Sequence, residues 1–218
     1  MFNLTNTAKI VVPALALLAT VVSFSSHASV TPDRTRLVFN ESDKSISVTL
    51  RNNDPTLPYL AQSWIEDAKG NKLPADRESV FYFNVREIPP KSNKPNTLQI
   101  ALQTRIKLFW RPKALENTSM KSPWQHKVTL IRNGQDFTVN NPTPYYVIIS
   151  NASAKKGGNP PAGFTPLMME PKTSAPLNAK MDSVPVLTYI NDYGARMPLY
   201  FICTGNSCQV DEEQSRKG

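Results

Sequence analysis

The chain has 218 residues, of which 19 are Pro and 8 Gly, and it carries 25 Lys and Arg against 17 Asp and Glu, a net charge of +8. The charges are dispersed, which fits solubility and attraction to acidic partners and argues against a nucleic-acid-binding tract. Its two cysteines and two histidines make a metal site a poor expectation, and without a Gly-x-Ser-x-Gly or a phosphate loop an enzyme fares badly.

Taken from the N-terminus, residues 1–28 predict a secretory signal. Lys9 precedes an uncharged run from Ile10 to Phe24, and small residues follow at Ser26 and Ala28. The apolar core from Ile10 to Val22 contains Pro13 and is short for a membrane span, which counts against the alternative of an uncleaved anchor. The mature chain is expected to begin at Ser29, leaving 190 residues (29–218) with 24 basic side chains once Lys9 departs. That length suits one large domain or two of about 100 residues.

The mature sequence advances in strand-sized pieces. Arg36 to Phe39 is followed by Ser45 to Arg51, in which Ile46, Val48 and Leu50 alternate with polar residues. Asn52-Asn53-Asp54-Pro55 supplies a turn before Tyr59 to Glu66, and Lys69-Gly70-Asn71-Lys72 a break before Val80 to Arg86. Leu98 to Trp110 is the longest β-like run, with Leu98, Ile100 and Leu102 on one face. The polar stretch Lys113 to Ser122 reads as a domain junction. Beyond it come Lys127 to Arg132, Phe137 to Asn140, Tyr145 to Asn151, Phe164 to Met169, Val186 to Ile190 and Pro198 to Cys203. Many short strands with frequent turn signals predict two successive all-β sandwiches. Export places Cys203 and Cys208, separated by Thr-Gly-Asn-Ser, where a local disulfide persists.

Several motifs are more specific. They include Asp33-Arg34-Thr35-Arg36, Leu57 to Gln62, Asp76 to Asn84 and Arg86-Glu87-Ile88-Pro89-Pro90. Further along stand Ile106 to Pro112, Asn141-Pro142-Thr143-Pro144-Tyr145-Tyr146 and Tyr189 to Gly194. In this order, over nearly the whole mature chain, they resemble the periplasmic chaperones of pilus assembly. The resemblance implies two immunoglobulin-like β-sandwich domains in tandem at an angle, spanning 29–115 and 123–218. It also implies a periplasmic location, no cofactor, and pilus subunits and an outer-membrane usher as partners. The short connection from Lys91 to Asn96 resembles the subgroup that serves rod-like pili.

The resemblance assigns residues as well. Leu98, Ile100 and Leu102 match the strand lent to an incomplete subunit, where main-chain hydrogen bonds give affinity and side chains at period two fill a groove. Alternation alone favours the plainer reading that they line the chain's own core. Arg36 and Lys107 match the pair that grips the subunit's C-terminal carboxylate, a role that suits charge-assisted donors, whereas isolated strand cations are ordinarily solvated. Glu78, Arg111 and Asp192 match an ionic cluster between the domains; the plainer reading is three unrelated surface charges. Self-association through the lent strand is a further expectation.

The chain departs from the family pattern between Glu66 and Asp76. Two further strands are usual there, and only Asp67 to Ala75 remains. An incomplete second sheet with an exposed apolar face is therefore expected in the first domain. A poorly functional relative, or a structural or adhesive sandwich subunit, are the competing readings.

Overall fold

The computed structural model describes residues 29–67 and 73–217. The expected signal peptide and the break at 69–72 lie outside them. In the first domain, β1 (Val30–Pro32), β2 (Arg36–Asn40), β3 (Leu50–Asn52), β4 (Leu60–Asp67), β5 (Ser79–Ile88) and β6 (Gln103–Arg111) follow in turn. The main sheet is ordered β2-β6-β5-β4, with β2 parallel to β6 and the other pairs antiparallel. The short antiparallel pair β1-β3 stands apart from it.

The second domain contains β7 (Thr129–Asn133), β8 (Asp136–Asn141), β9 (Val147–Ser153), β10 (Leu167–Met169), β11 (Thr173–Pro176) and β12 (Val186–Ile190). It continues with β13 (Arg196–Leu199), β14 (Phe201–Thr204), β15 (Ser207–Val210) and a terminal helix α1 (Glu212–Lys217). Two sheets, β10-β9-β12-β13 and β11-β8-β7-β15-β14, enclose one core. Leu130, Phe137 and Val139 of one sheet meet Val147, Ile149 and Leu187 of the other, as alternation with one buried face requires.

Cys203 and Cys208 are paired partners in the β14-β15 hairpin and form the disulfide expected from the sequence. So small a loop constrains the unfolded chain little. Replacing both cysteines by serine is expected to cost about 2 kcal/mol in urea unfolding, on the chain-entropy account, and to leave partner binding intact.

The first domain is less complete. Its main buried cluster is Leu37, Ile106 and Leu108, with Phe39, Ile46, Val48, Phe81 and Phe83 only half-covered, while Val30 and Val85 are buried outside that cluster. The Ser45 to Arg51 strand is corrected by the structure: regular pairing begins at Leu50. Ile46, Val48 and Leu50 still turn inward relative to Ser45, Ser47 and Thr49, so the alternation was sound. The Thr49 carbonyl still accepts the Asp33 amide, but among the described residues the stretch 45–48 has no neighbouring strand to complete a ladder, and hydrogen-bonded pairing needs two edges. Beside this segment Phe39, Ile46, Ile65, Phe81, Leu108 and Trp110 border an open apolar hollow of about 320 Å³.

Candidate functional site

The period-two alternation of β6 decides what reaches the cleft between the domains. Ile106 and Leu108 join the first domain's core, which leaves Lys107, Phe109 and Arg111 on the opposite face. Val80 of β5 and Phe109 meet Tyr146 and Ile148 of the second domain, forming a buried apolar cluster that spans both domains. The Phe109 and Tyr146 ring centroids are 5.7 Å apart.

One polar group flanks this cluster. Arg111 is 3% exposed at its side chain and reaches Glu78 Oε1 through Nε at 2.9 Å and Nη2 at 2.6 Å. Its Nη1 and Nη2 both donate to Asp192 Oδ2 at 3.1 Å, across the domain boundary. Glu78 Oε2 accepts the Tyr146 amide at 2.8 Å, a second interdomain bond. Trp124 and Tyr145, stacked at 4.6 Å, lie against the Arg111 guanidinium at 5.1 and 5.2 Å. Burial pushes the Glu78 carboxyl up, and Arg111 opposes it. The three charges named from the sequence thus form one network, and the reading of unrelated surface charges is overturned. The aromatic pair that covers it carries no separate signal in the sequence, although Tyr145 lies in the segment Asn141 to Tyr146. On the surface, Lys172 and Asp76 make a further interdomain ion pair at 3.0 Å; Arg77 and Lys172 hold the Asp76 carboxyl well below its usual range.

Arg36 and Lys107 are brought together as direct partners in the parallel β2-β6 register. Arg36 is 9% exposed, with its guanidinium 4.7 Å from the centre of the Phe109 ring. Its Nη1 donates to the backbone carbonyl of Ile190 at 3.0 Å and to that of Asn191. Lys107 is half-buried, and burial first, then Arg36 and Arg105, pull its ammonium below the ordinary lysine value. Among the described residues neither cation has a carboxylate in ion-pair contact. Asp192 and Glu78 act on Arg36 only at longer range, so two adjacent, partly desolvated cations with no carboxylate in contact can receive an anion. A cavity of about 460 Å³ opens beside Arg36, bordered by Arg34, Asn40, Thr118, Asp192 and Tyr193.

The segment upstream of β6 requires a correction. The β-like run from Leu98 is strand only from Gln103, because β5 ends at Ile88 and the last bond between them joins the Glu87 amide to the Leu102 carbonyl. Leu98 is 85% exposed and Ile100 65%, with Leu102 half-buried. They do not line the chain's own core. An alternating apolar segment, which among the described residues has no ladder partner before Leu102, therefore runs directly into the strand that bears Lys107.

The chain thus carries two immunoglobulin-like sandwiches in tandem, with adjacent cations at Arg36 and Lys107 and an exposed, alternating segment that runs into β6. Residues 29–72 and 67–116 match the pili and flagellar-assembly chaperone family at its PapD N-terminal domain, and residues 123–201 match the C-terminal domain of the pili assembly chaperone PapD. The chain belongs to this family of pilus-assembly chaperones. It is 71% identical, over 250 residues and the full length of both chains, to the probable fimbrial chaperone YfcS of Escherichia coli strain K12. Chaperone protein PapD of Escherichia coli is 39% identical over 92% of this chain and 97% of its own. The crystal structure of the periplasmic chaperone SfaE superposes with a TM-score of 0.59 at 29% identity, covering 77% of this chain and 95% of the other.

Proposed function

We propose that this protein is exported to the periplasm, where it binds pilus subunits, lends each one a strand through Leu98, Ile100 and Leu102, and passes it to the outer-membrane usher. The observation that carries the reading is the juxtaposition on one stretch of chain of exposed, alternating Leu98 and Ile100 with the unpaired Arg36–Lys107 cation pair. A carboxylate held by these cations fixes where the subunit begins along the segment. Leu102 lies five residues from Lys107, roughly 17 Å of extended chain, so the side chains that fill the subunit's groove are set in register by the anchor.

The test is the pair Leu98→Asp and Ile100→Asp. Both sites are exposed in the free protein, so its unfolding midpoint should not move. Soluble one-to-one complexes with a co-expressed pilus subunit should disappear. Unchanged complex recovery would remove the strand-lending role.

Lys107 provides a pH signature. Its folded value lies below the ordinary one, so the free protein carries a penalty at low pH that is relieved as pH rises from the folded towards the unfolded value. A bound carboxylate favours the ammonium and cancels that depression. Subunit affinity should therefore fall with rising pH in the alkaline range, with proton uptake on binding, while the stability of the free protein rises. Calorimetric titration in buffers of different ionisation heat measures the uptake; a pH-independent affinity would count against Lys107 as a ligand.

The reading includes a first domain shortened between residues 67 and 75. It is supported by the two separate stretches of the N-terminal family match, by an alignment of 250 positions against 218 residues, an excess of 32, and by the open apolar hollow.

A further inference from the structure

The more buried cation of the pair, Arg36, makes its hydrogen bonds to the other domain. We propose that the turn joining β12 to β13, residues 191–195, is the positioning element for Arg36: it holds the Nη1 end of the guanidinium and leaves the Nε–Nη2 edge to meet an incoming carboxylate. This rests on the carboxylate-anchor reading above.

Both Nη1 hydrogens are used, one on the Ile190 carbonyl and one on the Asn191 carbonyl. The ring of Phe109 faces the guanidinium. Among the described residues Nε and Nη2 make no hydrogen bond, and this edge has the two parallel donors that match a carboxylate. The last residue of β12 supplies one carbonyl and the turn the other, and the turn is itself fixed by one side chain. Asn191 Oδ1 accepts the Tyr193 amide at 3.0 Å and the Ala195 amide at 2.9 Å. The Asn191 carbonyl also accepts the Gly194 amide at 3.0 Å.

Gly194 allows the turn to lie where it does. Its φ is +84°, and a Cβ there would stand 2.8 Å from Thr35 Oγ1, on the residue before Arg36. The second domain thus seats itself on β2 and grips the guanidinium in one contact. An arginine side chain free to rotate loses rotamer entropy on binding, and one already fixed loses less. Asn191 and Gly194 act through Arg36 and touch no carboxylate themselves.

The test uses the full mature chain and two probes, a short peptide of alternating valine and threonine ending in a free carboxylate and its C-terminally amidated counterpart. Asn191→Ala and Gly194→Ala should each weaken binding of the carboxylate peptide about tenfold, as expected when an ordered side chain is released. Neither should alter the weaker binding of the amide, nor add to the loss in Arg36→Ala. Asn191→Asp keeps the Oδ1 acceptor and should bind as the unaltered protein does. Equal losses with both peptides, or no loss with the carboxylate, would overturn the positioning role. Equal affinity of the unaltered protein for both peptides would instead remove the anchor, and the turn's role with it.

Discussion

Lys107→Ala is expected to weaken the complex with a pilus subunit about 100-fold, in line with truncating one partner of a partly buried charge pair. The free protein should tolerate this change, because among the described residues Lys107 has no ion-pair partner to abandon and removing it relieves repulsion from Arg36 and Arg105. Arg36→Ala should lose a comparable factor, but it also surrenders the bonds to Ile190 and Asn191 and the contact with Phe109. Lys107→Ala is therefore the cleaner variant. Dissociation of the purified complex should quicken, since a buried anchor acts mainly on the off-rate. Retention of affinity within about twofold, far below the 2 to 5 kcal/mol such contacts carry, would show that the carboxylate goes elsewhere.

Arg111→Ala should have the largest effect on stability. It leaves the Glu78 carboxylate, 2% exposed, without the charged donors it has among the described residues and releases Asp192 from the other domain. Breaking one side of a buried pair in this way costs about 3 to 5 kcal/mol, which urea unfolding would register as a fall in midpoint. Asp192→Ala should cost much less, because its carboxylate is 21% exposed and water replaces part of the loss. Replacing Glu78 and Arg111 together by leucine should recover part of the Arg111→Ala loss, since no uncompensated charge remains. A single-site loss below about 1 kcal/mol, the scale of surface pairs, would mean that the network does not hold the domains.

Much of this site was legible through the resemblance to a family, since spacing alone favours solvated strand charges at Arg36 and Lys107 and a core role for Leu98, Ile100 and Leu102. Lys107 and Arg111 share a face of β6 by parity, and the parallel β2-β6 register then sets Arg36 beside Lys107. Glu78, Arg111 and Asp192 were named from motifs far apart in the chain, and packing brings them within 3.1 Å of one another through Arg111. The grip on Arg36 was not legible, because its acceptors are the main-chain carbonyls of Ile190 and Asn191, and every residue has a carbonyl. The run Leu98 to Trp110 overstated the strand for a related reason: alternation reports a preference for extended chain, whereas a ladder also needs a neighbour, and β5 ends too early to serve residues 98–101. In the second domain the single expected piece Pro198 to Cys203 divides into β13 and β14, which lie in different sheets, with Tyr200 between them. Strands as short as β1 and β11 carry too few residues to show a period.

The central claim is that residues 97–102 become a strand only when a pilus subunit arrives. Amide hydrogen exchange of this segment, measured in the free chaperone and in its purified complex with a subunit, tests it most directly. Fast exchange when free and strong protection of alternate amides in the complex is the expected result. A complex in which these amides exchange as fast as in the free protein would contradict it.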